Sequence, residues 1–323
     1  MAAKIVVTQP VHAEPLARLR EAGHEVVTLE SSRGLTADEL VEATEGADAL
    51  LSQLSDTVSA DVFAGTSLKI VATIATGFDN IDVAAARAAG VAVTRTPDVL
   101  TDATADLAMT LMLAVARHVP EEDARTRTGS TGPFRLLREP MGIDISGAAL
   151  GIVGMGRIGA AVARRAHLGF GMKILYTSRS VHRAAEDRFA AVRLPLEELL
   201  QQSDVVSLHA PLNDETRHLI NRTTLALMRP NAILVNTGRG GLIKETDLAA
   251  ALQAGTIAGA GLDVFENEPD VHPDLLACGH RAVLTPHVGS ATAKTRLAMT
   301  SMAVDNVLAV LAGEPPLNPV PVG

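Results

Sequence analysis

Short aliphatic runs and longer amphipathic stretches take turns from the start of the chain. Lys4 to Thr8, His24 to Leu29, Ala49 to Gln53, Leu68 to Ile74 and Val91 to Thr94 are rich in Val, Ile, Leu and Ala with little polar alternation. That pattern predicts strands buried on both faces, as in a parallel sheet. Between them lie Pro15 to Ala22, Ala37 to Thr44, Ala60 to Ala64 and Val83 to Ala89, whose apolar spacing predicts helices. Thr36 stands three residues ahead of Glu39, a capping box, and Gly23, Gly46 and Gly90 follow helical stretches where a left-handed C-cap is needed. A βαβ succession of this kind predicts a sheet covered by helices on both sides.

A longer helical stretch, Ala103 to Arg117, leads through the polar segment Glu121 to Gly132 into a second α/β unit. Its predicted strands are Ala149 to Val153, Lys173 to Thr177, Val205 to His209, Ile233 to Asn236, Gly259 to Val264 and Val283 to Thr285. From Thr292 to Leu311 the pattern is again helical, and the proline-rich end, Pro315 to Pro321, cannot extend that helix. The last helix is expected to pack on the first unit. The expected domains are therefore 1–98 with 288–323, and 99–287.

Gly154, Gly156 and Gly159 spell G-x-G-x-x-G directly after one predicted strand, with a helical run, Ile158 to His167, and a further strand behind them. In that setting the first glycine permits a tight turn, the second lets a pyrophosphate approach the backbone, and the third packs helix on strand. A dinucleotide is the expected ligand, its phosphates at the helix N-terminus. An acid that would hold the adenine ribose of NAD is expected about 20 residues on. Ser178 and Arg179 stand there instead. A cation in that place, with His182 and Arg183 nearby, favours the 2′-phosphate of NADP(H), with NAD(H) as the alternative.

Three residues each follow a predicted strand of the second unit: Arg239 after Ala232 to Thr237, Glu268 after Ala260 to Phe265, and His287 after Ala282 to Pro286. Ligands of parallel α/β sheets bind outside the carboxyl ends of the strands, so these side chains are expected to meet. Together they suit proton transfer on an oxyanionic substrate. The Arg fork grips a carboxylate, His titrates near neutral pH, and Glu orients the His. The other histidines have no comparable partners in the sequence and are expected at the surface or in loops, with His209 near the cofactor.

Composition narrows the class. The chain has 323 residues, 28 basic against 37 acidic and a net charge of −9, with no run of like charge to serve as a nucleic-acid arm. A single cysteine, Cys278, excludes an internal disulfide and suits a reducing compartment. The N-terminal residues lack a signal-like apolar segment, and Leu107 to Ala116 is too short to span a bilayer. A cytoplasmic protein with no membrane and no nucleic-acid partner is expected. No compact His/Cys/Asp cluster has metal-ligand spacing, so no metal is expected.

Several segments together resemble the D-2-hydroxyacid dehydrogenase family, and within it the glyoxylate/hydroxypyruvate reductases. They are Thr76 to Asp82, Thr101 to Leu107, the Gly154 fingerprint, His209 to Leu212 with Thr216, Leu234 to Gly240, Gly261 to Pro269 and Pro286 to Ser290. The resemblance implies two doubly wound parallel-sheet domains, a Rossmann cofactor domain inserted into a flavodoxin-like substrate domain. It implies an NAD(P)H-dependent oxidoreductase that reduces a small 2-keto acid, glyoxylate or hydroxypyruvate, to the D-2-hydroxy acid. Arg239, Glu268 and His287 would be catalytic, with Arg239 on the substrate carboxylate and keto oxygen, and Leu54, Ser55, Thr76 and Gly77 would also contact substrate. Cofactor contacts would come from Thr104, Gly154, Gly156, Arg157, Ile158, Gly159, Ser178, Arg179, His209, Pro211, Thr216, Thr237, Gly238, Asp263, His287 and Gly289. A homodimer is implied as well. Many relatives carry tryptophans ahead of the fingerprint, whereas this chain has none and reads Gly132-Pro-Phe-Arg-Leu-Leu137. The alternatives are a broader 2-keto acid reductase of the 2-ketogluconate type, a phosphite dehydrogenase, and a corepressor-like cofactor-sensing protein.

Overall fold

The structure is a computed structural model that describes residues 2–31, 33–129, 131–137 and 139–321. Contacts divide it into two units, Met1–Leu100 with Ala291–Gly323, and Thr101–Ser290.

In the first unit the elements are β1 (Lys4–Val7), α1 (Ala13–Glu21), β2 (Glu25–Thr28), α2 (Ala37–Ala43), β3 (Ala49–Ser52), β4 (Ile70–Thr73), α3 (Val83–Ala88) and β5 (Ala92–Thr94). The sheet order is β2-β1-β3-β4-β5, all parallel, the flavodoxin-like arrangement. β3 and β4 are buried along their whole length, which is why they read as continuous aliphatic runs. Alternate residues such as Val6, Leu50 and Val71 face one core with Leu40 of α2 and Ala86 of α3. Thr36 caps α2 reciprocally with Glu39, as the capping box requires, and Gly23, Gly46 and Gly90 all have positive φ. Ala60–Phe63 is shorter and tighter than predicted, a 3₁₀ turn.

The second unit contains α4 (Thr101–Ala116), α5 (Val119–Arg127), β6 (Ala149–Val153), α6 (Arg157–Phe170), β7 (Lys173–Thr177), α7 (Arg183–Phe189) and β8 (Val192–Arg193). It continues through α8 (Leu196–Gln202), β9 (Val205–Leu208), α9 (Arg222–Leu225), β10 (Ile233–Asn236), α10 (Glu245–Ala254), β11 (Gly259–Leu262), α11 (Pro273–Leu276) and β12 (Ala282–Leu284). The last helix of the chain is α12 (Ala293–Leu311), which belongs to the first unit and packs on α1 and β4 there.

The seven strands run β12-β11-β10-β9-β6-β7-β8, all parallel. One face is covered by α4, α6 and α7 around Met112, Ile152, Val162 and Tyr176; the other carries Leu199, Leu225, Leu248 and Leu275 from α8 to α11. Chain order reverses between β6 and β9, and at such a switch point a crevice opens beyond the strand ends. α5 forms within a segment whose polarity predicts no element. Glu121 and Glu122 pair with Arg125, and Asp123 with Arg127, so charge at helical spacing supports an exposed helix with no buried residue.

Candidate active site

The fingerprint turn sits at the carboxyl end of β6. Gly154 has φ +96°, and a Cβ there would meet Ala210 N at 2.6 Å, so the turn and the end of β9 leave room for glycine only. A Cβ on Gly159 would strike Gly154 O, which explains the close seat of α6 on β6. Gly156, by contrast, faces open space and is the N-cap of the 14-residue α6. An uncrowded backbone at the positive end of a helix is what a dinucleotide pyrophosphate requires, so the residues present fit that group. Arg157 and Ile158 begin α6. Past β7, Ser178 turns its hydroxyl back to Ser180 O at 2.6 Å, and the Arg179 side chain is exposed.

His209 lies immediately past β9, with Nε2 2.8 Å from Ser207 Oγ; burial lowers its imidazole to about 4, so it is neutral at physiological pH. In the following loop Thr216 Oγ donates to Pro211 O at 2.6 Å. The turn after β10 is fastened by Asn236, whose side chain donates to Arg239 O at 2.9 Å and accepts from Gly238 N–H at 3.0 Å. Thr237 within that turn is buried.

Arg239, Glu268 and His287 all lie beyond the carboxyl ends of adjacent strands, β10, β11 and β12. Both Glu268 oxygens are engaged: Oε1 accepts from Phe265 N–H at 3.0 Å, and Oε2 lies 2.7 Å from His287 Nδ1. Burial pushes the Glu268 carboxyl up, but the His287 hydrogen bond and charge, the Phe265 N–H and the Arg239 charge outweigh it and hold it below the usual range. Glu268 is therefore a carboxylate at neutral pH. Nδ1 of His287 must then be the donor, which fixes the tautomer and leaves Nε2 for a ligand.

His287 itself has φ 51°, a left-handed conformation rare outside glycine, and needs external support. Asp263 supplies it. This buried carboxylate accepts from Thr285 Oγ at 2.6 Å, Val288 N–H at 2.8 Å and Gly289 N–H at 2.8 Å, while its own carbonyl accepts from His287 N–H at 2.8 Å. Burial raises the Asp263 carboxyl, partly offset by those bonds and by His287. Thr104 closes on the same loop through Gly289 O at 3.4 Å.

Sequence reasoning missed a further group. His218 does have a partner: its Nε2 is 2.6 Å from Glu266 Oε1. Glu266 and the buried Glu245 accept each other's backbone N–H, both at 2.8 Å, and Gly240 is pressed so close to Phe265 that a Cβ would overlap its backbone. Partners 21 and 48 residues apart leave no local spacing signal.

In the first unit Leu54 and Ser55 follow β3, and Thr76 and Gly77 follow β4. Buried Asp56 orders the first pair by accepting from Gln53 N–H at 2.7 Å, Leu35 N–H at 3.0 Å and Thr8 Oγ at 2.6 Å. Thr76 Oγ donates to Thr96 O at 2.9 Å. Among the described residues no group of three or more His, Cys, Asp or Glu is placed to hold a metal, and no helix is long and apolar enough to cross a membrane.

Residues 109–289 match the model of the D-isomer specific 2-hydroxyacid dehydrogenase NAD-binding domain. A glyoxylate reductase of Thermococcus onnurineus is 45% identical over 320 residues, 98% of this chain and 95% of that protein. A crystallised Thermus thermophilus protein superimposes with a TM-score of 0.91 at 44% identity, covering 98% of this chain and all of the other. An NADPH-dependent glyoxylate/hydroxypyruvate reductase of Sinorhizobium meliloti, solved with NADP and malonate, gives 0.83 at 34% identity, covering 99% and 97%. With likeness running through nearly its whole length, the chain belongs to the D-isomer specific 2-hydroxyacid dehydrogenase family of NAD(P)-dependent oxidoreductases.

Proposed function

We propose that the chain reduces glyoxylate or hydroxypyruvate to the D-2-hydroxy acid, with NADPH preferred to NADH. The observation that carries this reading is the 2.7 Å pair between Glu268 and His287, within reach of the Arg239 charge at adjacent strand ends. When bound, a reduced nicotinamide would supply the hydride for the keto carbon. Arg239 holds the substrate carboxylate and keto oxygen, polarising the carbonyl through its fork. As the carbonyl π pair moves onto oxygen, His287 Nε2 gives up its proton to that oxygen. Glu268 accepts from Nδ1 and keeps the ring oriented. His209, neutral and half-buried, takes no part in the proton transfer.

The Gly154, Gly156 and Gly159 cradle is assigned to the pyrophosphate, with Thr104, Arg157, Ile158, Pro211, Thr216, Thr237, Gly238, Asp263 and Gly289 as further cofactor contacts. Unit Thr101–Ser290 is thus the cofactor domain. The other unit is assigned to substrate through Leu54, Ser55, Thr76 and Gly77. Ser178 and Arg179, in place of an acid, support the NADPH preference. A homodimer is the assembly inferred. It is supported by Phe134, Leu136 and Leu137, three large apolar side chains exposed by 92, 82 and 85% within one short segment.

A panel of 2-keto acids assayed with NADPH and with NADH tests the reading through loss of nicotinamide absorbance. Highest kcat/KM for glyoxylate or hydroxypyruvate with NADPH is expected; a larger keto acid, or NADH, in first place overturns it.

A further inference from the structure

The turn after β7 is held from outside. Arg193, on the edge strand β8, donates from Nη2 to Ser178 O at 2.7 Å and to Arg179 O at 3.1 Å. Leu194 N–H donates to Tyr176 O at 2.9 Å, so the same strand is fastened to β7 just before the turn. At the far end the Tyr176 hydroxyl accepts from His182 N–H at 3.0 Å and donates to Glu186 at 2.9 Å. Both ends of the loop between Ser178 and His182 are thereby fixed, while the Arg179 side chain stays exposed.

Core packing reaches only the flanks of β8, through Ala191 and Leu194. Its own two residues are both exposed and pair with β7 as Val192 with Leu175 and Arg193 with Tyr176. What it brings to the turn is a second guanidinium, close to Arg179, in a chain of net charge −9. A second cation at the turn raises the local positive potential that an anion would meet. Both hydrogen bonds leave from Nη2, so the fork keeps Nη1 and Nε for an acceptor outside the turn.

We propose that Arg193 is a specificity-determining residue for the 2′-phosphate of NADPH: it orders the Ser178–Arg179 turn through its carbonyls and adds the second positive charge. The inference rests on the NADPH reading above. A residue acting only as scaffold would affect every adenine nucleotide equally, whereas a reader of the 2′-phosphate acts on one class.

Isothermal titration of adenosine 2′,5′-bisphosphate and of 5′-AMP separates these cases. Arg193→Met should weaken the bisphosphate about tenfold or more, the scale of a lost charge-assisted hydrogen bond, and change 5′-AMP by less than about threefold. Arg193→Lys, which keeps the charge, should lose less. The NADPH to NADH ratio of kcat/KM should fall by a similar factor in the Met variant. Equal loss for both nucleotides, or no loss, overturns the inference. Should the Met variant fail to fold, Arg193→Gln, which also removes the charge, takes its place and is read by the same outcomes. A wild-type chain that binds 5′-AMP as tightly as the bisphosphate removes the NADPH reading itself, and this inference with it.

Discussion

Glu268→Gln isolates the electrostatic part of the acid/base pair, because it preserves shape while removing one acceptor. In the native structure both carboxylate oxygens accept, one from Phe265 N–H at 3.0 Å and the other from His287 Nδ1 at 2.7 Å. A glutamine offers one acceptor and one donor. Turned one way, its NH₂ faces the Phe265 N–H; turned the other, it faces the protonated Nδ1. Either orientation sets donor against donor while His287 is charged, and flipping the amide cannot relieve both. A lost hydrogen bond to a charged group is worth about 1.5–3 kcal/mol. At about 1.4 kcal/mol per tenfold in rate, kcat for reduction should fall about ten- to a hundredfold. The sign follows from the carboxylate's role. It accepts from Nδ1 and holds the ring in line, so without it the proton donor is misplaced at the moment of transfer. Stability should hardly change, since the two side chains are 34 and 31% exposed and such pairs contribute about 1 kcal/mol or less. The assay is kcat with a saturating keto acid, alongside thermal melting. A kcat equal to wild type would refute the reasoning.

Three further outcomes are expected. His287→Ala should lower kcat by about 10²–10⁴-fold, the usual worth of a proton-transfer group, while the cofactor Kd from fluorescence titration stays within a few fold; wild-type turnover would remove His287 from the chemistry. Arg239→Lys should raise KM and lower kcat together, because a point charge cannot span carboxylate and keto oxygens, and retention of both constants would place the substrate grip elsewhere. Gly240→Ala should depress Tm and activity together, since the added Cβ would overlap the Phe265 backbone, and overpacking of even side-chain cores costs about 1–3 kcal/mol; an unchanged melting curve would contradict the close approach.

Much of the architecture was legible because buried parallel strands announce themselves. Ala49–Ser52 and Ile70–Thr73 are buried at every position and polar only at their last residues, Ser52 and Thr73, so the apolar run and the strand coincide within a residue or two. β8 was not legible, because two exposed residues carry no periodicity. α5 was missed for the opposite reason: with no buried face, its only signature was charge pairing. In the site, strand-end position sufficed to bring Glu268 and His287 together. Asp263 was marked by resemblance as a cofactor contact, yet its service to the His287 loop depends on donors 22 to 26 residues away, and the His218–Glu266–Glu245 cluster spans 48. Long-range partners of that kind follow from the strand order and have no pattern of their own in the chain.

The reciprocal bonds between Glu245 and Glu266, together with Gly240 lying against Phe265, make the Arg239 turn and the Glu268 loop one solid piece. Spacing between the Arg239 turn and the Glu268 loop is then set by two carboxylates and a glycine, none of them a group assigned to meet substrate. A lineage bearing such a piece can exchange the residues that meet the tail of a keto acid without retuning the part that reads its head. Diversification of substrate becomes a matter of peripheral change around a fixed reader, and the fixed reader is the part that would be hardest to rebuild once lost.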